Sequence, residues 1–450
     1  MRRLVRLEFL LLARERFAWV LLGFLALACA LAVVNGRALM AQQLEGRAIA
    51  ASGDASSRER AEGALTAGTS PATAVMIPVW IRATVIGPPP LLADFSAGRA
   101  PFEPHATTVS LRSRQDTLFE RTAVDNPEAL ARGSLDLGFI AVVLVPLALI
   151  ILGYGLFSAD RDSGAARLLL AQGGSPVRVL AARSVPRLLF ALTPLAVSAA
   201  LLLVTGPELE GRWAAAGWWL LVAIVLAGFW WAVVLLVNSM RIGAETAALT
   251  LVSTWALFTL ILPAAITATA QIAYPPPSRF EQIATARAAE VASTTAYENH
   301  HADLASQDFE GRLASIRKTL SIGRAVESAT APIALRFDEQ LAAQQRIART
   351  LAWVSPPLIA ADAMTITAGT DVGRLLSFRR MAAAYLSEMK AALGGFVDRG
   401  EVMTRSDYDA LPTFDWQPQP APPIWRLVAL ALLAFAIGAI AVIRLRRANP

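Results

Sequence analysis

Charge, cysteine, lysine and histidine are all scarce in this sequence, and each scarcity removes a class of explanation. A single cysteine, Cys29, forbids a disulfide framework and any cysteine-rich metal centre. Three histidines, His105, His300 and His301, leave little for zinc chemistry. Two of them sit in Glu298-Asn-His-His-Ala-Asp303, but neighbouring side chains on a helix diverge by about 100°, so a solvated face is the simpler reading. No phosphate-binding loop is present: Lys318-Thr319 follows Ser315-Ile316-Arg317, without the glycines that let backbone amides wrap a phosphate. There is no G-x-S-x-G elbow, no H-E-x-x-H helix and no G-x-G-x-x-G turn. Paired carboxylates such as Asp160/Asp162 and Asp407/Asp409 flank arginines or turns and read as surface ion pairs. The expectation is a chain with no catalytic site, cofactor or metal of its own.

What is there is apolar. Only 17% of the residues are charged, against about a quarter in a typical soluble domain. The deficit is concentrated in runs near the length that crosses about 30 Å of hydrocarbon at about 1.5 Å per residue. Six runs qualify: 17–36, 137–157, 188–206, 217–237, 246–266 and 424–443. Pro146 and Pro194 fall inside spans, which membrane helices tolerate. None of the six carries an ionisable residue well inside it, unlike the usual ion-coupled carrier. Lysine is confined to Lys318 and Lys390 among 41 basic residues, so the net charge of +6 reads as arginine placed by topology and calls for no nucleic acid.

Orientation follows from the short flanks. Arginines cluster in residues 1–16, in 158–187 (Arg161, Arg167, Arg178, Arg183, Arg187), at Arg241 and in 444–450. The opposite connection sets Arg212 against Glu208 and Glu210. Every basic cluster thus lies on one side, and both termini are expected to be cytoplasmic. Trp19, Trp213, Trp218, Trp219 and Trp425 fall at interfacial depths, where an indole is favoured. A cleaved signal peptide ending near Ala30-Leu31-Ala32 is the rival at the N-terminus. The charged region is long for one, and the apolar run continues through Val33 and Val34.

Two long segments, 37–136 and 271–423, are left outside. The second opens with Pro275-Pro-Pro277 and shows helical patterning at Phe280–Ala296, Leu304–Ile322, Pro332–Leu351 and Arg374–Asp398. An apolar stretch after Ser355-Pro-Pro357 is too short to span. The first alternates like strands at Ala74–Ile86 and Thr107–Leu118. The predicted fold class is mainly α: a six-span membrane protein with a largely helical extracytoplasmic domain and a small strand element.

The segment after the second span is charged at its start, leucine-rich through Leu170, then broken at Gly173-Gly174 and Pro176. With the six-span layout and Leu7-Glu-Phe-Leu-Leu-Leu-Ala-Arg14, it resembles the permease subunits of type 2, exporter-like ABC transporters. Asp160, Arg161, Asp162 and Gly164 match the opening of that family's cytoplasmic loop, Leu168–Leu170 its turn, and Pro176 with Arg178 its exit. One branch, with a large outer domain before the last span, is similar at Pro277-Ser-Arg279, Trp353-Val-Ser-Pro356 and Tyr408–Phe414. The chain departs from its common members in the long outer segment after the first span.

The resemblance implies a permease subunit in the bacterial inner membrane that pairs with a second permease, identical or not, and with a cytoplasmic ATPase dimer that holds the ATP and magnesium. Residues 1–16 would form an interfacial helix on the lipid surface, with Arg2, Arg3, Arg6 and Arg14 within about 120° of arc. Asp160, Arg161, Asp162, Gly164, Arg167 and Leu168 would form the helix that docks on the ATPase. The outer domain would meet substrate or an envelope protein. The alternative is a membrane sensor or envelope assembly scaffold with a ligand- or protein-binding outer domain, for which the inner segments offer no output module.

Overall fold

The computed structural model describes residues 2–66, 70–102, 104–115, 118–119, 135–156, 176–240, 242–275, 278–300, 308–418 and 422–447. Helix α1 covers Arg2–Arg14 and α2 covers Arg16–Thr66. α2 is 51 residues long: its apolar start crosses the bundle, and the Ala-, Gln-, Glu- and Arg-rich remainder keeps a high helix propensity well beyond it. Helix α3, Leu137–Gly153, is capped by Asp136, whose carboxylate accepts from the Phe139 amide, and has π geometry over Ile140–Leu144. Next come α4 (Pro176–Thr205), α5 (Arg212–Asn238) and α6 (Ala244–Ala273, π over Leu257–Ile261). The outer helices are α7 (Arg279–His300), α8 (Phe309–Ala352), α9 (Pro356–Ala368) and α10 (Val372–Arg399), and α11 (Ile424–Arg447) ends the described chain.

Five helices among the described residues are long and apolar enough to cross a membrane: α2, α4, α5, α6 and α11. The expected span at 137–157 is shorter than the sequence pattern predicts. α3 unwinds into a turn at Tyr154, so its helical run reaches about 26 Å at 1.5 Å per residue. α5 is the hub of the bundle, burying Trp219, Leu226, Trp230 and Val234 in the core and packing against α3, α4, α6, α9 and α11.

The two outer segments, separate in sequence, share one core. Ala61 of α2, Val75, Ile77 and the strand residues Val85 and Val109 pack with Leu313 and Ile316 of α8 and Phe378, Leu386 and Val397 of α10. The strands are β1 (Arg82–Ile86) and β2 (Ala106–Ser110), antiparallel with Arg82 opposite Ser110 and Val85 opposite Thr107. Within Ala74–Ile86, where alternation predicts strand, the chain makes a helical turn at Ile77–Trp80, preceded by another at Pro71–Ala74. Each has proline in its first turn, where the missing N–H costs nothing. The helices predicted on either side of Pro332 are one helix, α8, with that proline inside it.

Candidate functional site at the two ends of the bundle

One end of the bundle, which the sequence expectation places outside, is closed by a short apolar segment, Leu91–Ser96, wedged among α3, α4, α5 and α9. Its anchor is Asp94. The carboxylate meets Arg212, the first residue of α5, at 2.5 Å and 3.2 Å. Arg212 also donates to the carbonyls of Leu91 (2.6 Å) and Leu202 (3.1 Å), so one guanidinium holds the wedge, the end of α4 and the start of α5. The two side chains are 2% and 1% exposed. Burial pushes the Asp94 carboxyl above the usual carboxylate range, while the hydrogen bonds and charge of Arg212 pull it back. Beside the pair, Phe95 packs edge-on against Trp219 at 5.4 Å, and the Trp219 indole donates to Ser96 Oγ at 2.9 Å. Gly36 of α2 lies so close to the Asp94 carbonyl that any side chain there would collide with backbone.

Asp136 adds a second fastening. Its carboxylate accepts from Ala97 N (2.7 Å) and Phe139 N (2.6 Å), joining the wedge to the N-terminus of α3. Burial raises its pKa and those backbone donors oppose the rise. On the far side the Leu92 amide donates to Ala368 O, and Thr370 Oγ1 donates to Ser96 O, tying the wedge to the end of α9.

α9 is itself fastened to the bundle. Pro263 has no N–H, so in the π turn before it the carbonyl of Phe258, five residues back, loses its partner. The fully buried Ser355 hydroxyl fills the vacancy, donating to Phe258 O at 2.8 Å. A further contact reaches the π turn of α3: Trp255 Nε1, two residues before the π turn of α6, donates to Val143 O at 3.2 Å. Arg426 of α11 donates to Asp362 of α9 at 2.6 Å.

At the opposite end of the bundle the clamp is Glu8 of α1. Its carboxylate accepts from Arg183 at 3.1 Å and Arg187 at 3.4 Å, both on α4. The same arginines donate to Leu156 O (2.8 Å) and Leu152 O (3.0 Å), carbonyls at the C-terminal end of α3. Leu156, just before 157–175, is therefore held beneath the N-terminal helix to arginines two to three turns into α4. Asn238 of α5 closes the ring by donating to Gly153 O at 2.9 Å. The sequence-predicted coupling residues Asp160, Arg161, Asp162, Gly164, Arg167 and Leu168 lie outside the described residues, between Leu156 and α4.

Sequence reasoning missed the outer closure. Arg212 reads as a charge balanced by Glu208 and Glu210, and Trp219 as an interfacial anchor, yet both are buried. The available signal was Asp94, a lone acid in Leu91-Leu-Ala-Asp-Phe95. Glu298 and His300 take local partners: Lys318 at 2.6 Å and the Ala296 carbonyl at 2.7 Å. Among the described residues no three His, Cys, Asp or Glu side chains gather to hold a metal ion.

A family model described as ABC-2 family transporter protein matches residues 2–356, and one described as a domain of unknown function (DUF3526) matches residues 297–417. No curated protein matches the chain.

Proposed function

This chain belongs to the ABC-2 transporter family and is a multi-pass membrane protein, and from that premise we propose that it is a permease subunit driven by a separate ABC ATPase. In this reading α3 is the sixth span, shorter than the rest, and both termini face the cytoplasm of a bacterial inner membrane. Residues 37–136 and 271–423 then form an extracytoplasmic domain. ATP and magnesium belong to the ATPase dimer, and a second permease, identical or not, completes the transporter. A type 2 architecture favours export, or extraction from the lipid face, over uptake.

The observation that most supports the coupling role is the Glu8 clamp. A segment meant to carry force from a soluble partner needs stiff roots, and the three-way contact of Glu8, Arg183 and Arg187 ties α1, the end of α3 and α4 together beside the start of 157–175 and two to three turns beyond its end. Force on Asp160–Leu170 would then be shared among three helices and would rock the bundle between two states. Upward, the closure around Asp94 and Arg212 lies where an exit would open.

The test is co-purification in mild detergent followed by an ATPase assay. A nucleotide-binding subunit is expected to co-purify. Glu8→Gln, and separately charge reversal at Asp160 and Asp162, are expected to lower its rate by several-fold while leaving membrane insertion intact. Absence of such a subunit, or an ATPase rate indifferent to all three changes, would sink the proposal.

A further inference from the structure

Beside the transport path, the outer domain carries a groove with a different chemistry. One wall is a stripe of α2 at helical spacing, where Gly53, Ser56, Ser57 and Arg60 share a face. The other is the outward face of the small sheet. Strand alternation turns Val85 and Val109 into the core and sets Arg82, Thr84 and the facing Thr108 on the opposite side. Together they enclose about 320 Å³. Gly53 has open space where a side chain would stand, which gives the groove its depth.

The groove is lined by two arginines and no acid. Arg60 is steadied by its own helix, Nε donating to Ser56 O at 3.0 Å and Nη2 to Ser57 Oγ at 3.2 Å, which leaves Nη1 unengaged. Among the described residues no carboxylate pairs with Arg60 or Arg82. Of the acids close to Arg60 in sequence, Glu59 is exposed and does not line the groove, Glu62 pairs with Arg405 at 3.1 Å, and Asp54 is occupied by Thr84 N at 2.7 Å and Arg58 Nε at 2.8 Å. Two guanidiniums without a carboxylate partner in a hydroxyl-lined pocket match a doubly charged oxyanion: Arg82 offers a planar fork of donors and Arg60 its free Nη1.

We propose that this groove binds the phosphate group of a soluble, hydrophilic molecule. A lipid headgroup carries the same chemistry but is out of reach. α2 leaves the apolar run at Gly36, so Ala50 and Arg60 stand about 21 Å and 36 Å farther along the helix at 1.5 Å per residue. That the groove faces outward rests on the orientation proposed above; the binding itself does not, so either can fail alone.

The test uses the full chain in nanodiscs, with inorganic phosphate and glycerol 3-phosphate as probes at low salt, read by calorimetry. Saturable binding is expected, weakened at least about tenfold by Arg60→Gln or Arg82→Gln. Arg99→Gln, an exposed arginine away from the groove, should leave it unchanged. Both groove arginines are exposed, so the variants should melt like the parent, and that is checked in parallel. Discs with and without phosphatidylglycerol separate the two phosphate sources. Equal binding in both supports a soluble ligand; loss of binding where the lipid is present makes the headgroup the occupant and overturns the proposal. No saturable binding up to about 10 mM, or binding that ignores both arginine changes, overturns it as well.

Discussion

Removing one partner of the Asp94–Arg212 pair should loosen the whole bundle, and the chain carries its own reporter. Arg212 makes four hydrogen bonds, two to Asp94 and one each to the carbonyls of Leu91 and Leu202, at 2.5 to 3.2 Å. Both side chains are almost wholly excluded from solvent. In Arg212→Met the Asp94 carboxylate is stranded without its cation, and in Asp94→Leu the guanidinium is stranded instead. Breaking such a pair costs about 3–5 kcal/mol. Replacing both partners removes the stranded charge and leaves only the two backbone carbonyls short of a donor, about 1–3 kcal/mol each. The double variant should therefore be closer to the parent than the sum of the singles, with a coupling energy above about 2 kcal/mol. The sole cysteine, Cys29, is buried in the same core on α2, so its labelling rate by a small maleimide in detergent measures how often the bundle opens. Each single variant should label faster by roughly two to three and a half orders of magnitude, and the double by distinctly less than their product. Labelling of Arg212→Met at the parental rate, or a strictly additive cycle, would refute the assignment of Arg212 as the keystone of the outer closure.

Three further outcomes follow from the same geometry. Ser355→Ala should leave the Phe258 carbonyl without a donor, lowering stability by about 1–3 kcal/mol; Ser355→Thr, which keeps the hydroxyl, should recover part of this in a thermal melt. Gly36→Ala should force a methyl into the Asp94 backbone carbonyl, and is expected to reduce yield and accelerate Cys29 labelling, whereas Gly23→Ala, with open space around it, should do neither. His105 is held below its ordinary pKa, first by burial and then by the charge of Arg47. The folded state thus resists its protonation, so its contribution is complete above the unfolded pKa of about 6.5. Stability should decline as pH falls from there through the folded value; melting midpoints between pH 5 and 8 should show that slope in the parent and less of it in His105→Gln.

How much of this was legible in the sequence depends on how far apart the interacting residues are. Apolar runs and helical patterning are local, so the long spans and the helices near 280–296 and 374–398 could be read directly. Proline punctuated less than expected: α8 runs through Pro332 because only one ladder hydrogen bond is lost there. At Pro78 the opposite happened, and part of an alternating pattern became a helical turn. The outer closure was not legible. Asp94 and Arg212 are 118 residues apart, and Glu8 and Arg183 are 175 apart; neither pairing leaves a periodic trace. The common core of the two outer segments was hidden for the same reason, since each looks incomplete alone.

The length of α2 has a mechanical consequence. A single helix begins at Arg16, packs Ala28 and Ala32 into the bundle, and ends with Ala61 in the core of the outer domain. At 1.5 Å per residue it is about 77 Å long, with no proline along it to absorb bending. It works as a lever: a tilt of about ten degrees at its inner end would sweep the far tip through roughly 13 Å if the rod stays straight. The domain at its far tip is therefore geared to the first span, and small displacements at the N-terminal end of the helix arrive there amplified rather than damped.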